Sequence, residues 1–167
     1  MSGQRSAILT AALLGSADLR IYFSGPWAFK REMQALDGTP LGSAEGRAEF
    51  MPQAVANVLQ YRESGQLMLL GQVRAIGFSR RFDYHWQDDV LQVLFADGPQ
   101  AGQSYQHYRF DPVRQALLPV ATHVCVQDHY DGCYQLIDRD QFDLQTRIEG
   151  PHKAYLLRSH FSRVAGS

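Results

Sequence analysis

Turn residues recur along this chain at short, nearly even intervals, the pattern of an all-β sandwich or barrel. They stand at Asp37-Gly38-Thr39-Pro40, Ser64-Gly65, Gln87-Asp88-Asp89, Asp97-Gly98-Pro99, Asp111-Pro112, Asp131-Gly132, Asp138-Arg139-Asp140 and Gly150-Pro151. Each carries the Gly, Pro or Asp that a tight turn needs. Between them the expected strands cover residues 27–35, 43–51, 56–63, 66–74, 77–86, 90–96, 104–110, 119–127, 133–138, 142–149 and 153–163. That number suits a closed antiparallel barrel, and closure removes the edges an open sheet would leave exposed. Residues 53–62 also admit a helix because they lack clean alternation. The strand is preferred because the segment runs straight into Glu63-Ser64-Gly65-Gln66, read as a hairpin turn.

With 167 residues the chain fits one domain. Residues 1–22 read as an N-terminal helix and lead-in, and 23–167 as the barrel. Nine Phe, eight Tyr and two Trp add to the β-favouring composition. The net charge of −1 comes without a long block of either sign, so nucleic acid is not an expected partner. The apolar run at residues 7–14 is too short to span a bilayer and makes a poor signal peptide, because Thr10 interrupts it and only Arg5 precedes it. It reads as a short helix across one end of the domain, and no membrane is expected. Cys125 and Cys133 are too few for a disulfide framework and lack zinc-site spacing, so no metal or cofactor is expected and a reducing, cytoplasmic setting is.

Side chains alternate faces along a strand, so one inward residue fixes its neighbours two away. Trp27, Phe29, Arg31 and Met33 share a face. If the aromatic face is inside, the Arg31 guanidinium is inside too and needs a carboxylate or a ligand anion. The same argument groups Leu59, Tyr61 and Glu63, which offers that carboxylate. It also groups Phe78, Arg80, Phe82, Tyr84 and Trp86. Arg80 then either contacts a ligand, or stacks on the rings and snorkels to the rim. The small residues Ala44, Gly46 and Ala48 leave room beside these large ones.

The densest polar group runs from His123 through Cys125, Asp128 and Tyr130 to Gly132, with His107 upstream as a further candidate for the interior. His123 and Asp128 are suited to acid–base work, and Cys125 beside a histidine to nucleophilic attack. The same residues have ordinary structural roles: a hydrogen-bonded histidine, a small buried cysteine, an aspartate capping its own turn.

Gly25-Pro26-Trp27 resembles the Gly-x-Trp element that opens the first strand of calycins, the superfamily of lipocalins and fatty-acid-binding proteins. In such folds a basic residue of the last strand covers that tryptophan. Arg158 and Arg163 are the candidates, and parity with Tyr155 and Phe161 favours Arg163. From Phe23 onward the chain is similar to a lipocalin-like domain, domain-of-unknown-function family 6314. The resemblance is carried by Arg31, Tyr61-x-Glu63-x-Gly65, Arg80, Phe95, Asp97-Gly98 and His107. Its specific part is His123-x-Cys125-x-x-Asp128-x-Tyr130-x-Gly132 and Gly150-Pro151-x-Lys153. Domains of that family occur alone or attached to flavin-dependent monooxygenase-like proteins, which implies a place in small-molecule metabolism.

These readings lead to a lipocalin-like (calycin) closed antiparallel barrel that binds a small, partly apolar molecule with an anionic or carbonyl group. Trp27, Arg31, Tyr61, Glu63, Arg80, Tyr84, His107, His123, Cys125, Tyr134 and Lys153 are the expected ligand-binding residues. In a cofactor-free enzyme of the isomerase, cyclase or decarboxylase type, His123, Asp128 and Tyr130 would be catalytic and an arginine would stabilise developing charge. A third alternative is a packed barrel that serves as an interaction scaffold. The sequence does not choose an oligomeric state.

Overall fold

A computed structural model of the protein describes residues 13–120, 123–125 and 127–165, with 123–125 described by backbone alone. A 3-10 turn at Ser16–Asp18 leads into helix α1 (Leu19–Phe23). Four long strands follow: β1 (Gly25–Ala35), β2 (Pro40–Pro52), β3 (Val58–Leu69) and β4 (Ile76–Gln87). Four shorter ones come next, β5 (Val90–Phe95), β6 (Ser104–Asp111), β7 (Ala116–Pro119) and β8 (His123–Cys125). The chain finishes with β9 (Asp128–Asp138), β10 (Gln141–Glu149) and β11 (Ala154–Arg163). Every pairing is antiparallel. Ten strands close in the order β1-β2-β3-β4-β5-β6-β7-β9-β10-β11, with β11 pairing back onto β1 and β8 lying as a flap on the start of β9. Among the described residues no helix is long and apolar enough to cross a membrane.

The expected strands hold except where glycine misled the turn assignment. Ser64-Gly65 lies inside β3, so the strands expected at 56–63 and 66–74 are one strand that starts at Val58. No helix forms over 53–62. Residues 53–57 turn instead, with Asn57 at φ 64°, a left-handed conformation that Asn tolerates. Gly65 is needed for proximity: it pairs with Gly46 across β2 and β3, and a Cβ on Gly46 would run into the Ser64 carbonyl. Asp131-Gly132 likewise lies inside β9, where a Cβ on Gly132 would strike the Tyr108 hydroxyl. The reversal expected there comes earlier, between Cys125 and Asp128, and the strand expected at 119–127 is replaced by the short β7 and β8. Of the apolar run at 7–14, residues 7–12 lie outside the described residues. The described helix is α1.

Alternation places Trp27, Phe29, Phe50, Leu59, Tyr61, Tyr84, Leu91, Tyr108, Tyr134, Phe142 and Phe161 in one continuous core. Helix α1 closes one end of it. Phe23 is fully buried, and its ring meets Phe50 at 5.3 Å, Trp86 at 5.9 Å, Tyr134 at 5.8 Å and Phe142 at 5.1 Å, so it touches rings from four strands. Arg163 fixes the plug from the last strand. Its guanidinium stacks 4.2 Å from the Trp27 ring centre and donates to the carbonyls of Ser24 (3.0 Å) and Tyr22 (2.5 Å). The basic cover predicted for Trp27 is therefore present, and Arg163 supplies it.

Candidate functional site at the open mouth of the barrel

At the end opposite α1 the core opens. A vestibule of about 370 Å³ is lined by Arg31, Met33, Ser43, Ala44, Leu67, Phe78, Arg80, Tyr155 and Leu157. Deeper in lies a chamber of about 40 Å³, walled by Arg31, Tyr61, Glu63, Arg80, Phe82, Tyr84, Tyr105, Tyr108, Tyr134, Leu144, Thr146, Leu157 and Ser159. Arg31, Arg80 and Leu157 line both spaces and form their common wall. A further depression, about 810 Å³, lies instead over the outer faces of β1, β2, β3, β10 and β11. Its side chains Lys30, Glu32, Glu45, Asp143, Arg158 and His160 carry charges of both signs, the character of a solvated outer face.

The chamber floor is a fixed ion pair. Arg31 donates to both oxygens of Glu63, at 2.9 and 2.8 Å, and through Nε to the Ser159 hydroxyl at 2.7 Å. Tyr61 donates to Glu63 Oε2 at 2.5 Å. The sequence reading that offered Glu63 as the partner of Arg31 is met. Burial alone would raise the Glu63 carboxyl; the Arg31 hydrogen bonds and charge, with the Tyr61 hydrogen bond, outweigh it and hold the group below the ordinary carboxylate range. Glu63 is thus an ionised, neutralised structural acid.

Above the floor sits a group of tyrosines. The Tyr84 and Tyr134 hydroxyls are 2.7 Å apart and share a hydrogen bond. Burial pushes Tyr61, Tyr84, Tyr108 and Tyr134 well above the usual phenol range, and Tyr105 up to about 12. All five therefore keep their protons at neutral pH. Arg80 lies exposed at the rim of both spaces, and among the described residues it forms no ion pair or hydrogen bond.

The remaining predicted residues divide. Trp27 has no accessible surface and donates to the Phe23 carbonyl at 2.8 Å, so it belongs to the plug and not to a ligand wall. His107 is exposed on the outside of β6; parity turns Gln106 and Tyr108 inward in its place. Lys153 lines neither space. It stands on the turn after β10, with Nζ 3.4 Å from Asp128. Gly150 makes that approach feasible, since a Cβ there would collide with the Asp128 carboxylate. Tyr130 packs edge-on to Tyr105 at 5.5 Å, and its carbonyl accepts from Gln106 at 2.6 Å. The backbones of His123 and Cys125 pair with Tyr130 and Asp128, and the side chains of both lie outside the described residues.

Sequence reasoning missed Ser159, Thr146, Tyr105 and Tyr108. Ser159 and Thr146 follow the parity of Phe161 and Phe142, a signal that aromatic neighbours alone would have supplied. Tyr105 had no such signal. It enters at an irregularity where β5 shifts register against β6 between Val93 and Leu94, and it stacks on Phe82 at 4.9 Å.

Residues 23–163 match a family described as a family of unknown function, DUF6314. The chain belongs to that family. Among solved structures, the S-type phycobiliprotein lyase CPES from Guillardia theta is similar over 92% of this chain and 95% of its own, with a TM-score of 0.65 at 10% identity. A DUF3598-family protein of unknown function from Nostoc punctiforme is similar over 91% of this chain and 50% of its own, with a TM-score of 0.56 at 16% identity. At such identities the likeness concerns the fold alone. No curated protein matches the chain. Within the DUF6314 match, the two motif segments that carried the resemblance meet in space. Asp128 and Lys153 pair across the gap that Gly150 leaves, and Gly132 makes room for Tyr108.

Proposed function

We propose that the protein holds a small, partly apolar molecule in the barrel mouth, with an anionic or carbonyl group directed inward at Arg80 and the Arg31–Glu63 floor. One observation carries this reading. The vestibule, about 370 Å³ with walls of Met33, Ala44, Leu67, Phe78 and Leu157, has the size and apolar character of small-molecule pockets, and a cation without an ion-pair partner among the described residues stands on its inner wall. The packed closed end agrees with the scaffold alternative for that half of the barrel, but a scaffold has no use for the vestibule. A lyase on the same fold lends indirect support, since an enzyme's site has been built on this architecture. Binding is favoured over acid–base catalysis because Asp128, the carboxylate such chemistry needs, is engaged by Lys153 at the rim. Cys133 is a free thiol, in keeping with the cytoplasmic setting we assign.

Native mass spectrometry of the protein purified without denaturation tests the proposal. We expect a non-covalent adduct that is lost on unfolding. A protein that shows only its bare mass, and takes up no member of a mixed panel of small carboxylates, phenols and ketones, overturns it.

A further inference from the structure

Resting on the small-molecule reading above, we infer that the mouth is built for a monocarboxylate, with the carboxylate in the inner chamber beside Arg80 and the apolar body in the vestibule. Three observations converge on this class.

The first is charge. Glu63 is the only acid among the described residues lining the two spaces, and Arg31 neutralises it through two hydrogen bonds. Arg80 is left as one positive charge in excess. A monoanion balances that charge, whereas a dianion brings an unpaired negative charge to a half-enclosed site, which is costly. A neutral ligand can accept a hydrogen bond from Arg80 but leaves its charge unbalanced and forgoes the added strength of an ion-to-ion hydrogen bond.

The second is size. A water needs roughly 10–15 Å³ of such volume, so the chamber, at about 40 Å³, takes about three or four water-sized groups at most. A carboxylate has three heavy atoms. A phosphate or sulfate has five and does not fit without displacing the tyrosines.

The third is hydrogen-bonding sense. Tyr84 and Tyr134 have two hydroxyl protons and spend one on each other, which leaves one to donate. Ser159 accepts from Arg31 and retains its own proton. Arg31 has five N–H groups, of which three are used on Glu63 and Ser159. Glu63 already accepts three hydrogen bonds. The chamber thus holds spare donors around a largely saturated acceptor, and two carboxylate oxygens match it.

The test is calorimetric titration of the full chain with decanoate, decanol and decyl phosphate at about pH 8, where the phosphate monoester carries two charges. We expect decanoate to bind about tenfold more tightly than the other two, the weight of one charge-assisted hydrogen bond. Arg80→Gln should bring decanoate down to about the level of decanol, and Arg80→Lys should restore the preference. Arg80 is exposed and unpaired among the described residues, so both variants should melt as wild type does. Decanol binding as tightly as decanoate, decyl phosphate binding more tightly, or Arg80→Gln leaving the preference intact overturns the inference while the small-molecule reading stands. Failure of all three probes to bind, together with a bare native mass, overturns that reading as well.

Discussion

Removal of the Glu63 carboxylate would leave the Arg31 guanidinium, only 10% exposed, with the Ser159 hydroxyl as its remaining hydrogen-bond partner. Breaking a buried pair on one side strands a charge, whereas replacing both partners with apolar groups removes the problem. Glu63→Ala is therefore expected to cost about 3 kcal/mol or more in urea unfolding, and the double variant Arg31→Met/Glu63→Leu to lose much less. Acid titration checks the same pair. The folded-state pKa of Glu63 lies below its unfolded value, so its contribution is complete above the ordinary carboxylate range and is lost as pH falls through the depressed folded value. Wild type should lose stability steeply below about pH 4, and the double variant should lose less over that window. This pair was legible in the sequence, because strand parity put Arg31 and Glu63 on the same aromatic-facing side. Parity with Phe161 could have turned Ser159 inward, but not placed it directly opposite Arg31. That contact depends on the register of the last strand against the first, which closure sets and no local pattern records.

Strands β2, β3 and β9 show what glycine does when it is not turning the chain. Gly46 and Gly65 let two backbones approach closely, and Gly132 gives space to a tyrosine hydroxyl. Both departures from the expected turns came from reading these as hairpin signals, and the sequence does not distinguish a glycine chosen for φ from one chosen for the lack of a Cβ. Gly132→Ala is expected to destabilise the fold by about 1–3 kcal/mol as the Tyr108 ring is forced aside, and Gly132→Ala/Tyr108→Phe should recover part of that loss in thermal melts. At the plug, Arg163→Ala removes the donor to three carbonyls, those of Tyr22, Ser24 and Arg139, and the stacked cation over Trp27. Hydrogen exchange should then quicken over residues 19–27 while β3 and β4 exchange as before, with a stability loss of about 2 kcal/mol. This latch was anticipated from parity with Phe161, since a Gly-x-Trp element specifies which residue type must cover it.

At the scale of the molecule, the two ends of the barrel have unlike composition. Large rings converge at the α1 end, where Phe23, Phe142, Trp27 and Phe50 are fully buried against one another. Smaller and aliphatic side chains at the other end, with Ala44, Leu67 and Leu157, leave the vestibule open. Leu67→Trp should fill that space and abolish uptake of any co-purified molecule with no more than about 1 kcal/mol lost in stability, as read by native mass spectrometry and a melt together. Whether the interior was hollow or filled could not be read from the sequence. The same inward pattern serves both, and the balance is set by the sizes of side chains that meet only after the barrel closes, such as Ala44, Leu67 and Leu157 around the vestibule. The Arg163 latch has a further consequence. Since Trp27 of β1 is paired with Arg163 of β11, the chain comes into the barrel and leaves it side by side at the plugged end. Any domain tethered before β1 or after β11 would hang from that pole, with the full height of the barrel between it and the mouth, and so would leave the ligand's route unobstructed.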